Sequence, residues 1–196
     1  HITSLLVRQE PPTMPPGLEP ILRDHRIGVG LYREQQGQLV RDRLIEVDVT
    51  GALTPVPEVV GEPVPDLLLL NDGDLTFAKI RLDDRSLTTV SERLGDVTDS
   101  LARSLVWGTL WDATRDAELP ASQFINVVLS HIDRETASTT LRTLLQQLVL
   151  SASSYVTPER RTETLERVAE VLWSLASAAP AGSDTQFQFV KAFSGI

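Results

Sequence analysis

The chain has no cysteine, which excludes disulfide bridges, thiolate metal sites and cysteine nucleophiles together. Aromatic residues are only 5% of the 196 positions, too few for an extended stacking surface. Lysine occurs twice against sixteen arginines, a bias that fits a GC-rich coding source. A net basic region is missing too: the net charge is -9, with -5 on residues 1–83 and -4 on residues 84–196. Neither portion offers the field that would attract nucleic acid or an anionic membrane, so neither is expected as a partner. No apolar run approaches the roughly 20 residues that span a bilayer.

An initiating methionine and a charged-then-apolar leader are also missing. The chain opens strand-like at His1-Ile2-Thr3-Ser4 and closes inside an amphipathic pattern, Phe187 to Ile196, which reads as a piece of a longer polypeptide. What is present suits a globular fold: 41% hydrophobic and 23% charged residues supply both a core and a wet surface.

The chain turns on Pro65 to Asp84. Four leucines, Leu67 to Leu70, run into Asn71-Asp72-Gly73-Asp74, and the β-rich Leu75-Thr76-Phe77-Ala78-Lys79-Ile80-Arg81-Leu82 follows. Asp-Gly between apolar runs predicts a hairpin, because these residues tolerate the positive φ of tight turns. Upstream, Ile2 to Val7 reads as a strand, and the prolines from Pro11 to Pro16 break it into an extended loop reaching Pro20. Ile27, Val29 and Leu31 alternate with Gly28, Gly30 and Tyr32. After a Gln35-Gln36-Gly37-Gln38 turn, Ile45, Val47 and Val49 alternate with Glu46 and Asp48. Each strand should have one wet face. Ala52 to Val60 fits a short edge strand limited by Pro55 and Pro57. Nine of the twelve prolines precede Asp66, as befits a small β-domain with many connections.

Beyond Leu82 the apolar period changes from two to about 3.6 residues. Asp83 or Asp84 caps a helix to Leu94, and Gly95 ends it in the left-handed conformation. Asp96 restarts the helix with Asp99 three residues on, and Val97, Leu101, Leu105, Trp107 and Trp111 form its stripe. Pro120 opens a helix carrying Phe124, Val127, Val128 and His131. Leu141, Leu144, Leu145, Leu148, Val149 and Ala152 make the most regular pattern. Pro158 starts a helix with Leu165, Val168, Ala169, Leu172 and Leu175 inward, and Phe187, Val190 and Phe193 mark a last one. Short links predict antiparallel neighbours, and the 38-residue spacing of Pro120 and Pro158 is near the period of helical-hairpin arrays.

Chemistry-bearing groups are few. The histidines His1, His25 and His131 form no H-E-x-x-H zinc helix. His131 and Glu135 have helical spacing, but a cap at Asp133 interrupts it, and a partly buried histidine paired with a carboxylate explains them more simply than a metal. Glu46 and Asp48 share a strand face as a solvated edge pair. Asp72 and Asp74 around Gly73 resemble a fragment of a calcium loop, lack its bidentate glutamate, and are accounted for by turn chemistry. Gly28-x-Gly30 is followed by Tyr32 and Arg33 where a nucleotide fold needs a helix start. Trp107 and Trp111 read as core, and Glu159, Arg160, Arg161, Glu163, Glu166, Arg167 and Glu170 as a mixed-charge outer face. The expectation is therefore no catalytic residue, no cofactor-binding residue and no metal ligand in this chain.

One resemblance rests on these elements. The strand at Leu67–Leu70, the Asn71-Asp72-Gly73 turn, a strand ending near Arg81-Leu82-Asp83-Asp84, and the tryptophan-rich Leu105-Val106-Trp107-Gly108-Thr109-Leu110-Trp111-Asp112 resemble, in order, the C-terminal half of bacterial zinc aminopeptidases of the aminopeptidase N family. Phe77-Ala78-Lys79-Ile80 departs from the Tyr-x-Arg-Val common in that family. The resemblance covers Arg26 to Leu129. It implies that zinc and its ligands lie in an upstream catalytic domain of the same polypeptide, that a β-sandwich acts as spacer, and that a helical domain closes over a chamber admitting peptides.

The combined expectation is an α+β chain with segregated domains. An antiparallel β-sandwich of about seven strands spans 1–83, and a truncated antiparallel α-helical array of HEAT or ARM type spans 84–196. Its function would be that of a non-catalytic spacer and lid of a cytoplasmic zinc aminopeptidase, inactive alone, with zinc only in the parent. The rival readings are a stand-alone interaction module with a helical-repeat surface, and a carbohydrate-binding sandwich whose only aromatics are Tyr32 and Phe77.

Overall fold

The computed structural model describes residues 1–11, 17 and 19–196. The proline-rich loop expected from Pro11 to Pro20 falls largely on 12–16 and 18, outside the described residues. Two compact units are present, His1–Leu87 and Thr88–Ile196.

The first unit holds five strands among the described residues: β1 (Leu6–Arg8), β2 (His25–Gln35), β3 (Gln38–Val49), β4 (Leu53–Pro55) and β5 (Leu67–Leu70). β1 pairs with β4, and a second antiparallel sheet has the order β3-β2-β5. The β2–β3 hairpin turns on Gln36 and Gly37, with φ of 54° and 83°, the two positive values that a tight hairpin turn requires. Pro55 and Pro57 keep β4 to three residues, as expected of an edge. Val7, Ile27, Val29, Leu31, Val47, Val49, Val56 and Val59 gather into one core drawn from both sheets. Five strands stand among the described residues where about seven were expected, and Leu75–Leu82 is one that does not form.

That segment is the main correction. β5 pairs with β2, not with the residues after it. The turn is closed by a side chain: Asn71 Nδ2 donates to the Thr76 carbonyl at 2.8 Å, and Asn71 Oδ1 accepts the Thr76 N–H at 3.1 Å. A side-chain amide thus takes the ladder positions that a second hairpin strand would use. β2 also departs from expectation, burying every residue from Ile27 to Tyr32 and presenting no wet face there. Between Leu31 and Tyr32 the register with β3 shifts, so Tyr32 lies opposite Arg41.

Helices follow as α1 (Asp84–Arg93), α2 (Ser100–Arg115), α3 (Ala121–His131), α4 (Ser138–Leu150), α5 (Pro158–Ala178) and α6 (Asp184–Phe193). α1 is capped by Asp83, whose carboxylate accepts Ser86 N–H at 3.0 Å. Gly95 is not left-handed. It sits in a 3₁₀ turn, Leu94–Asp96, where a methyl group would lie 2.8 Å from Arg134 Cγ. Asp96 pairs with Arg93 at 3.0 Å instead of restarting the helix.

The restart belongs to Asp99, whose Oδ1 accepts the N–H groups of Leu101 and Ala102 at 2.8 and 3.2 Å. Asp99→Ala should therefore cost the helical unit about 1 kcal/mol in urea unfolding, and Asp99→Asn very little. The buried stripe of α2 is rotated from the expected one. Ala102, Arg103, Val106, Trp107 and Leu110 face inward, while Leu101 is exposed. α4 buries Leu141, Leu144, Leu145 and Leu148 as expected, then continues into a π turn, Ser151–Tyr155. In α6 the buried aromatic is Phe189, not Phe187.

Candidate functional site

Two buried carboxylates, Asp72 and Glu135, one in each unit, each accept from an arginine and from an aromatic side chain. In the first unit, Asn71, Gly73 and Asp74 have φ of 56°, 92° and 55°, and this contorted turn drives Asp72 onto β2. The Asp72 N–H donates to the Gly28 carbonyl at 3.0 Å. Its side chain is 1% exposed. Tyr32 donates its hydroxyl to Oδ2 at 2.9 Å, and Arg41 Nη1 donates to Oδ1 at 3.2 Å. A methyl group at Gly28 would collide with the Asp72 carbonyl oxygen, and one at Gly30 with Asp72 Oδ2. The Gly28-x-Gly30 pair is thus a trench for a backbone and its carboxylate. Both Asp72 oxygens are engaged by protein donors, so the turn adds a buried acceptor to the fold. Tyr32, fully buried, cannot stack on a sugar.

In the second unit Glu135, just beyond a 3₁₀ turn at Ile132–Arg134, is buried against α2. Its Oε1 accepts from Arg103 Nε at 3.0 Å and from Trp107 Nε1 at 2.9 Å. Arg103 Nη1 also donates to the Val97 carbonyl at 2.6 Å. The pair is 11% and 2% exposed at its side chains, so its hydrogen bonds, not water, must satisfy both charges. Sequence reasoning coupled Glu135 with His131. The structure gives His131 Nε2 to the Ser91 carbonyl at 3.2 Å and Glu135 to Arg103 and Trp107. Arg103 was missed. The only signal for it was an arginine at a core register of α2.

The remaining candidates have partners elsewhere in the chain or lie in the solvent. His25 Nδ1 meets Thr76 Oγ1 at 2.8 Å, and His1 is exposed. Glu46 and Asp48 share one cation, Arg26, with Nε to Glu46 at 2.9 Å and Nη1 to Asp48 at 3.0 Å. The hydrogen bond that Arg26 donates to Glu46, then the charge of Asp48, hold the Arg26 guanidinium above its ordinary pKa. Glu159 in the first turn of α5 is held below the usual carboxylate range by its own backbone N–H and the Thr157 hydroxyl. Trp107 is core, and Trp111 stacks on Tyr155 with centroids 6.0 Å apart and tilts against Phe124 at 5.5 Å. A groove of about 400 Å³ lies between α4 and α6, over Leu145, Val149 and Ala192 with Arg142 and Lys191 at its rim. No three His, Asp or Glu side chains gather where they could hold a metal ion among the described residues.

What these clusters can do is hold elements together. Neither presents a nucleophile, a base facing solvent or an open ligand position. Comparison with known proteins gives a family. Residues 67–196 match the family model described as the ERAP1-like C-terminal domain. The chain is 46% identical over 195 residues to an Aminopeptidase N of Streptomyces lividans, an alignment covering 98% of this chain and 23% of that protein.

Proposed function

Because the chain belongs to the ERAP1-like C-terminal domain family, we propose that it is a non-catalytic C-terminal part of a zinc aminopeptidase that removes N-terminal residues from peptides. The observation that carries this is the 46% identity to an aminopeptidase N along 98% of the chain, in an alignment reaching only 23% of the relative. In this reading residues 1–83 are a spacer and residues 84–196 begin a helical lid over a chamber supplied by the catalytic domain of the same polypeptide. Its site of action is the cytoplasm. No helix among the described residues is long and apolar enough to cross a membrane.

Zinc belongs to the catalytic part in this proposal. The residues present here do not fit it: His25 and His131 are engaged by Thr76 and the Ser91 carbonyl, and neither has a second imidazole four residues away. No step of hydrolysis is assigned to this chain. Its contribution would be rigidity, and the two buried carboxylates are the means. Asp72 fastens the chain leaving β5 to the sheet, and Glu135 fastens the end of α3 to α2.

The purified 196-residue chain should release no chromophore from an aminoacyl p-nitroanilide. The polypeptide translated from the whole reading frame should release it, lose activity to a chelator and regain it with zinc. Chelator-sensitive release by the 196-residue chain itself would overturn the proposal.

A further inference from the structure

The groove between α4 and α6, about 400 Å³ in volume, is built from side chains that recur once per helical turn. α4 supplies Arg142, Leu145 and Val149, and α6 with its trailing turn supplies Gln188, Lys191 and Gly195, each set spaced by three and then four residues. Each row follows its helix for two turns, about 10 Å. A trough between two such rows is the shape that receives the ridge of a third helix.

Apolar surface extends past the trough. Leu150, which lines it, is exposed to 42%, and Phe187, one turn from Lys191 on α6, to 61%. A small amphiphile seated in the trough would leave Phe187 in water, whereas an amphipathic helix lying along α6 reaches it. The rim sets the charge of the occupant. Arg142 and Lys191 are exposed on opposite walls, and neither is ion-paired with a carboxylate among the described residues. Two cations flanking an apolar trough, in a chain of net charge -9, are complemented by carboxylates on whatever lies between them.

We propose that the trough between α4 and α6 seats an amphipathic helix of the same polypeptide, lying outside these 196 residues, which lays apolar side chains on Leu145, Val149 and Leu150 and sets carboxylates against Arg142 and Lys191. This rests on the proposed function in one respect, that the chain is part of a longer polypeptide. The matched aminopeptidase N has most of its length outside the alignment, which covers 23% of it. A tethered helix meets the trough at an effective concentration on the order of millimolar, which a second copy does not reach in dilute solution.

Two measurements on the polypeptide translated from the whole reading frame test it. Carbodiimide treatment, which couples an amine to a carboxylate in contact with it, should join Lys191 to an aspartate or glutamate outside residues 1–196 of the same molecule. Coupling of Lys191 to acids within 1–196 alone overturns the proposal. A cysteine introduced as Val149→Cys, in a chain that has none, should react with a maleimide on the order of 100-fold more slowly in the longer polypeptide than in the 196-residue chain. Arg142→Glu with Lys191→Glu should restore most of the fast rate in the longer polypeptide and leave the melting of the 196-residue chain little changed. Equal rates in the two chains overturn the proposal, and slowing by added dodecanoate would then assign the trough to a small amphiphile. Slow labelling that the charge reversal leaves unchanged overturns it too, because the occupant would not be acidic. So does slowing in the 196-residue chain as its concentration rises, because the occupant would then be a second copy. Zinc-dependent activity on the same preparation separates the two readings. Activity with fast labelling rejects the seated helix alone, and slow labelling without activity rejects the enzyme alone.

Discussion

Glu135→Ala should destabilise the helical unit by about 3–5 kcal/mol, because it leaves the Arg103 guanidinium buried without its counter-charge. The same change removes the acceptor of Trp107 Nε1. All three tryptophans lie in Thr88–Ile196, so fluorescence-monitored urea unfolding reads this unit without interference from the other. Glu135→Gln should fall between the wild type and the alanine variant, since an amide oxygen still accepts from Trp107 but carries no charge. Arg103→Met added to Glu135→Leu should recover the part of the loss that comes from the unpaired charge, as apolar replacement of both members of a buried pair is often neutral or better, and leave the part that comes from the unpaired Trp107 Nε1. If Glu135→Ala shifts stability by less than about 1 kcal/mol, the pair behaves like a surface ion pair and the argument from burial fails.

The second large effect lies in the trench of β2. Gly30→Ala would bring a methyl group onto Asp72 Oδ2, 2.8 Å from its Cγ and 2.9 Å from Tyr32 Cε2. Gly28→Ala would press on the Asp72 backbone oxygen and approach Leu44 Cδ1 to 3.0 Å. Each should destabilise the β unit by about 3 kcal/mol, at the upper end of overpacking effects. The two differ in how they can be relieved. Asp72→Ala removes the carboxylate that meets Gly30 but leaves the backbone that meets Gly28. A double-mutant cycle should therefore show strong favourable coupling between Gly30→Ala and Asp72→Ala, and little between Gly28→Ala and Asp72→Ala. This unit contains no tryptophan, so far-UV circular dichroism or hydrogen exchange of β2 is the readout. Equal coupling in both cycles would sink the trench geometry.

What could be read from the residues was whatever repeats locally. The β2–β3 hairpin was legible because Ile27, Val29, Leu31 and Ile45, Val47, Val49 alternate around a Gln-Gly turn. α4 was legible because Leu141, Leu144, Leu145 and Leu148 recur on one face. The expectation of antiparallel sheets followed by helices holds for the same reason. The failures share a different cause, a partner distant in sequence. Gly28 and Gly30 carry no side chain to announce that the backbone and the carboxylate of Asp72 will sit over them. Arg103 looks like a surface residue until Glu135, 32 residues away, is brought beside it. Leu75–Leu82 has strand propensity, but propensity describes a segment and not the existence of a neighbour. Asn71, a good turn residue, took the hydrogen bonds that the sequence pattern assigned to a ladder.

The seat of Asp72 also bears on how the β unit assembles. The β2–β3 hairpin closes across two residues, whereas the bond between Tyr32 and Asp72 joins positions 40 apart, so chain closure favours the hairpin as the earlier event. Until the later segment arrives, the two glycines leave β2 with a hydrated furrow along one side. A nascent chain that stops short of Asp72 would thus display a pleated ribbon with no lock, and the final, cooperative gain of order would come only when that one carboxylate drops into place.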